Sequence, residues 1–413
     1  MSRVPLGRYS VVRLILAVAP PIILLGCEQP SPTTPDQVAP FPPSASHLDL
    51  SGRCAVPEFS VGQTYGAVNP GSLAAADFDR DGRLDLAVAE GLPFQGDNAS
   101  TVRVLFGDGD GGFSQPTTFE AASPEFVLAE DLNRDGKVDL AVANPGPDLV
   151  SVLHGQPGAN FGAPASFPAG LSPGAIAPGD FDRDGVLDLA VANKHSDPAT
   201  VSILLGIPGG GYASPVDFPT GPVGVTVASI VAGDFDRDGA LDLAVATGDE
   251  GDVAVLSGDG QGGFSSPVRV FANFPEFVVA HDVDLDGRLD LVVANPGPDR
   301  VSVLRGDGAG AFGTPVDYPV GLQPRSIAVA DLNRDGRPDI AAANASSDEV
   351  SILLGDGHGS FTGPMNISVP SGPWSILAGD FKRDGALDLA VAAVNTQEVF
   401  VLINSCRPQA GTP

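Results

Sequence analysis

Residues 77–86 read Asp-Phe-Asp-Arg-Asp-Gly-Arg-Leu-Asp-Leu, and close copies of this acidic decapeptide begin again at Asp131, Asp180, Asp234, Asp282, Asp331 and Asp380. Successive copies start 48 to 54 residues apart. Independent domains do not produce one loop at a nearly fixed period, so the chain is read as a single repeat array over residues 54–406. Everything between the loops must then be the repeated unit of structure.

Each loop is framed in the same way. A short alternating run precedes it, as at 326–330 and 175–179, and an Asp-Leu-Ala-Val-Ala run follows, as at 188–192 and 242–246. A third apolar run comes after a variable loop, as at 201–205 and 301–304, then a Gly-rich turn such as 306–310, then a fourth run such as 312–318. These runs are called strands A, B, C and D. No helical period is present, and 52 Gly with 39 Pro suit short strands and many turns. Four strands per unit and seven units predict an all-β, seven-bladed β-propeller; a stacked solenoid is the alternative.

In the pattern D-x-[DN]-x-D-G-x-x-D, side-chain oxygens at positions one, three, five and nine and a backbone carbonyl at seven are expected to converge, with Gly at six allowing the sharp turn. The donors are Asp77, Asp79, Asp81, Arg83 and Asp85 in the first loop and Asp131, Asn133, Asp135, Lys137 and Asp139 in the second. The third and fourth offer Asp180, Asp182, Asp184, Val186, Asp188 and Asp234, Asp236, Asp238, Ala240, Asp242. The fifth and sixth offer Asp282, Asp284, Asp286, Arg288, Asp290 and Asp331, Asn333, Asp335, Arg337, Asp339. Oxygen ligands in that number suit calcium better than magnesium. An EF-hand begins alike but needs a Glu at position twelve and flanking helices, and position twelve here is Val or Ala. Six structural calcium sites are therefore expected. The seventh loop carries Lys382 at position three, where an ammonium would neutralise Asp380, Asp384 and Asp388, so that site is expected to be weak or unfilled. The bland alternative is a set of solvated acidic turns.

The loops, their number, and the Phe161-Gly162-Ala163-Pro164 and Phe312-Gly313-Thr314-Pro315 segments resemble the FG-GAP repeats of the integrin α-subunit propeller and of many bacterial surface proteins. The resemblance implies a calcium-binding propeller with a binding or adhesion role. It does not carry over integrin partner specificity, because strand B here runs into segments such as Asn144-Pro145-Gly146-Pro147.

The seventh unit has no fourth strand of its own, since its third run, 399–403, is the last of the chain. Phe59-Ser60-Val61 resembles the fourth-strand openings at Phe113 and Phe264, so the N-terminal segment is expected to complete the last blade. Cys54 and Cys406 then fall where the other blades have their Gly-rich turn, which predicts a disulfide between them; two free buried thiols are the alternative. Upstream, Arg3, Arg8 and Arg13 precede an apolar run over 14–25 ending in Leu24-Leu25-Gly26-Cys27, which resembles a bacterial lipobox with Cys27 as the acylated residue. An uncleaved membrane anchor is the alternative. Residues 1–26 are thus read as a signal peptide, 27–53 as a Pro- and Ser-rich tether, and 407–413 as a tail, in an exported, membrane-anchored monomer.

A net charge of −29 argues against nucleic acid or anionic lipid as partners. With the calcium loops on one face, a partner is expected on the other. There the position six residues before each loop varies within a repeated frame: Gly71, Glu125, Gly174, Ala228, Glu276, Arg325, Trp374. Glu125, Glu276, Arg325 and Trp374 are the candidate contacts, with Phe94, Lys194, His195, Asp249 and Glu349 from the B–C loops beside them. A protein partner is the first expectation and a glycan held between blades the second. The five histidines, His47, His154, His195, His281 and His358, are dispersed, and no nucleophile with its base is marked, so an enzyme, such as a polysaccharide lyase, is the least favoured reading.

Overall fold

The structure, a computed structural model, describes residues 54, 56–91, 100–114, 116–158, 160–222, 225–248 and 250–406. The signal peptide, Cys27 and its tether, Phe94, Asp249 and the C-terminal tail lie outside these residues. Among the described residues there is no helix.

Seven four-stranded antiparallel sheets follow one another along the chain. The first is Pro70–Ala76, Asp85–Glu90, Thr101–Leu105 and Thr117–Glu120, and the others repeat that order. The A strands of neighbouring blades pack on one another, and those of the first and seventh also meet, so the array is a closed propeller with the A strands innermost. Closure excludes the solenoid. Strand B is buried along its whole length in every blade, which is why Asp-Leu-Ala-Val-Ala reads as a continuous apolar run. Its alanines let adjacent sheets approach closely.

The seam is built as the spacing predicts. Phe59–Gly66 pairs antiparallel with Glu398–Asn404, with Phe59 opposite Asn404 and Gly66 opposite Glu398. Cys54 and Cys406 are disulfide-bonded with Cα atoms 5.8 Å apart across 352 residues of chain. The bond packs on Ala386 of the seventh loop.

One expectation needs correcting. Strand D is shorter than the 312–318 run suggested: it is Val316–Pro319 in the fifth blade, and Phe312 makes only an isolated bridge to Gly306. The cause is the proline before it, Pro315 here and Pro164, Pro215 and Pro267 elsewhere, which has no N–H to give the ladder. The detached aromatic instead joins two blades edge to face. Phe161 meets Phe119 and Phe78 of the first blade, and Phe264 meets Phe218 and Phe181 of the third. Tyr65, from the N-terminal strand, meets Phe113 in the same way across the seam. Such pairs contribute about 0.5–1.5 kcal/mol each beyond the area they bury.

Candidate metal centres and the opposite face

The ninth residue of each loop opens strand B and pairs with the residue before the first aspartate, as Ala76 with Asp85 and Gly179 with Asp188. Its carboxylate is fully buried and ties two segments together. Asp188 Oδ2 accepts the Phe181 N–H at 2.7 Å and Oδ1 the Gly206 N–H at 2.7 Å, joining the A–B loop to the C–D turn. Asp85, Asp242, Asp290 and Asp339 make the same two bonds. Burial outweighs these bonds and pushes Asp85, Asp188, Asp290 and Asp388 up to about 6 and Asp339 to about 7. A carboxyl so placed gains from a cation.

Within the loop, Asp77 accepts the N–H groups of Asp81 and Gly82, and Asp79 also accepts that of Asp81. This folding brings positions one, three and nine together. In Asp77/Asp79/Asp85, Asp180/Asp182/Asp188, Asp234/Asp236/Asp242 and Asp282/Asp284/Asp290, one oxygen from each residue lies within 4.8 Å of the others. Position five stands outside that grouping. Asp81 accepts the Arg83 N–H and pairs with the Arg83 side chain, and Asp135 and Asp286 pair likewise with Lys137 and Arg288. Asp335 lies 3.9 Å from Arg337, while Asp184 and Asp238 accept the N–H groups of Val186 and Ala240. Asp131 with Asn133, and Asp331 with Asn333, form the same turns in the second and sixth loops.

Three buried oxygens in these clusters, Oδ1 of Asp180, Asp234 and Asp284, have no hydrogen-bond partner. One orphaned anionic acceptor in each of these three carboxylate clusters fits a hard cation there. In the seventh loop the Lys382 ammonium sits 3.1 Å from Asp384, and its backbone N–H, 3.0 Å away, binds Asp388.

A further feature of the loops was missed at the sequence level. Position four is Arg in six loops, and all six, Arg80, Arg134, Arg183, Arg237, Arg334 and Arg383, have φ between 56° and 63°. Several reach the next blade. The space a Cβ would take on Gly136 lies 3.2 Å from the Arg80 guanidinium, and Gly385 and Arg334 are related alike. Arg383 approaches Gly82, carrying the contact over the seam, and Arg183 lies 3.6 Å from Asp238. The repeated Arg was the available signal.

On the opposite face, the four candidate contact residues are not open rim positions. Glu125 is buried and paired with the buried Lys194 of the next blade. Lys194 passes directly over Gly174, where any side chain would collide with it. Glu276 is buried against Arg325, whose guanidinium lies 4.8 Å from the centre of the Trp374 ring, and Trp374 is 9% exposed. The variation in this column is therefore blade-to-blade pairing. Ala228 is buried, Glu349 half-buried, and His195 exposed. Beside exposed polar residues such as His195 and Gln323, this face exposes large apolar side chains: Leu171, Leu322, and the adjacent Phe271 and Phe274, which are 56% and 54% exposed. Phe274 has φ 65°, at a position where other blades carry Asn69, Ser123, Ser172, Gln323 or Gly372. An aromatic in the left-handed region is costly, of order 1–3 kcal/mol.

Comparison with known families matches an FG-GAP-like repeat at residues 131–191, 184–245, 282–342 and 333–391, and an FG-GAP repeat at 69–105. No curated protein matches the chain. Among solved structures, BBS1N in a complex with ARL6DN is similar at a TM-score of 0.58 and 13% identity, over 86% of this chain and 98% of that one. Virginiamycin B lyase from Staphylococcus aureus is similar at 0.57 and 10%, over 84% and 99%. A lectin from Agrocybe aegerita that recognises non-reducing terminal N-acetylglucosamine is similar at 0.51 and 18%, over 78% and 85%. At such identities these likenesses concern the fold alone.

Proposed function

Because the chain belongs to the FG-GAP repeat family, whose propeller fold suggests a binding or adhesion role, we propose that it is a calcium-held, non-enzymatic binding propeller. With the Cys54–Cys406 disulfide, the repeats also suggest an extracellular or periplasmic location. The observation that carries the reading is the division between the two faces. One face holds the acidic loops, with Leu285 and Ile207 exposed singly among them, and both ends of the described chain, Cys54 and Cys406; the other exposes Leu171, Leu322 and the neighbouring pair Phe271 and Phe274. A tether leading from Cys54 back to an acylated Cys27 would hold the loop face toward the membrane. The apolar face would then point outward to a protein partner.

Calcium when bound would supply positive charge at the first, third and ninth carboxylates. The residues do the rest. The ninth aspartate anchors the C–D turn, the first shapes the loop through two N–H bonds, and the glycine at six makes the turn possible, as Gly82 does at φ 83°. Loss of charge repulsion among three gathered carboxylates is the gain.

A glycan partner is the second reading. Asn144, Asn193, Asn295 and Asn344 end strand B in four blades, each with an unpartnered buried Oδ1 beside a strand-C serine. A repeated polar position per blade is what sugar binding between blades would use. A glycan array probed with the wild type and with a Phe271→Ser/Phe274→Ser variant separates the readings. Glycan binding untouched by the variant favours the inter-blade sites, and no glycan binding leaves the protein partner.

A further inference from the structure

On the face away from the acidic loops, the junction of the fourth and fifth blades departs from the frame at two positions that elsewhere hold each other. In the second, fifth and sixth blades an aspartate in the turn between strands B and C takes two N–H groups from the connector to the next blade. Its backbone carbonyl accepts one, as Asp148 does from Ala169, Asp299 from Val320 and Asp348 from Val369. Its Oδ1 accepts the other, from the residue before the proline that leads into strand A: Ser172 gives it to Asp148 at 2.7 Å, Gln323 to Asp299 at 2.8 Å and Gly372 to Asp348 at 2.9 Å. In the fourth blade the aspartate is replaced by Gly251, and the residue before the proline is Phe274. The Gly251 carbonyl still accepts the Ala272 N–H at 2.8 Å, so the turn keeps its place. No carboxylate is there for the Phe274 N–H.

The position of the missing side chain is still open to one. A Cβ on Gly251 would lie 3.5 Å from Phe274 N, 3.7 Å from the Phe271 ring and 3.8 Å from the Phe274 ring, all ordinary contacts. Gly251 has φ 81°, and Asp148, Asp299 and Asp348 adopt the left-handed region at the same place, with φ 59°, 58° and 54°. The connector is held firmly: Asn273, at φ 63°, gives its side-chain amide to both Asp317 oxygens at 3.0 and 3.1 Å. Two successive left-handed residues, a donor deprived of the acceptor its counterparts have, and two exposed rings are three costs at one point. Local rules broken together in an otherwise regular frame mark a functional position.

The chemistry of the junction limits what it can hold. A backbone N–H takes an oxygen, and the rings beside it take apolar surface. A carboxylate ligand is disfavoured, because the nearby Arg269 is already shared by Glu250 and Asp252, Asp317 holds the connector, and the chain carries a net charge of −29. We propose, resting on the reading of this face as the partner's, that a protein partner docks here through an uncharged segment. It seats an amide or backbone carbonyl oxygen on the Phe274 N–H, in place of the missing aspartate, and lays an apolar side chain against Phe271 and Phe274.

The test records proton–nitrogen correlation spectra of the full chain in calcium, isotope-labelled at phenylalanine, with N-acetyl-leucine methylamide as the probe. Phe271→Leu and Phe274→Leu identify the two amide signals by their loss. The expected result is a saturable downfield shift of the Phe274 signal in the wild type. Gly251→Asp should show that signal already shifted by its own carboxylate, unresponsive to the probe, and should melt above the wild type, which also shows that it folds. A Phe274 signal that the probe does not move, an equal response in Gly251→Asp, or no rise in that variant's melting temperature overturns the proposal. Acetate is the second probe, and a shift with acetate but not with the amide assigns the position to an anion and overturns it too. If the probe moves Phe271 and not Phe274, the apolar face stands without this contact; if it moves neither, the reading of the face falls as well.

Discussion

The ninth aspartate of each loop has two tasks, and they can be separated. Removing Asp188 strands the buried N–H groups of Phe181 and Gly206 as well as a cation ligand. Asp188→Ala is expected to cost about 2–5 kcal/mol in urea denaturation even in chelator, since each stranded buried donor costs about 1–3 kcal/mol. A loss confined to calcium-containing buffer would make the residue a ligand only. The loop consensus made this residue legible as a ligand, but its bond to a glycine 18 positions on was not legible. The Glu125, Glu276, Arg325 and Trp374 column misled for a similar reason. Its partners lie 49 residues away for Glu276 with Arg325 and 69 for Glu125 with Lys194, so pairing between blades reads in one sequence as free variation.

At the scale of the element, the seventh blade tests whether the loops are interchangeable. Lys382→Asp restores the acidic pattern, and calcium counting should find one equivalent more than in the wild type; an unchanged count would mean that the pattern alone does not make a site. The same blade carries the closure. The four-strand period and the missing final strand were enough to foresee both the N-terminal strand and the disulfide, because a closed ring leaves only one place for each. Cys54→Ser is expected to destabilise the protein by about 2–5 kcal/mol under oxidising conditions, the usual cost of a lost native bridge. Equal urea midpoints for variant and wild type would assign closure to the Phe59–Gly66 strand alone. The D strands of the first five blades were less legible, because the proline before each shortened strand sits inside a run whose composition otherwise reads as a strand, whereas Phe361–Ser368 runs on through Pro364.

For the whole molecule, the proposed function gives the two faces of the ring different tasks, cation binding on one and a partner on the other. The loop face is dense with aspartate and inter-blade arginine, while the far face holds buried ion pairs and a few exposed apolar residues. Those residues, Phe271 and Phe274 above all, had no repeat to announce them, since they are departures from the frame. The claim on which this arrangement depends is that the acidic loops are cation-held pins. It is tested most directly by the melting temperature of the full chain in calcium and after exhaustive chelation. Binding confined to the folded form adds about 2.7 kcal/mol per site at a hundredfold excess over Kd, so several sites acting together predict a large fall in melting temperature on chelation and its recovery when calcium is restored. A melting temperature that is the same in both buffers would contradict it.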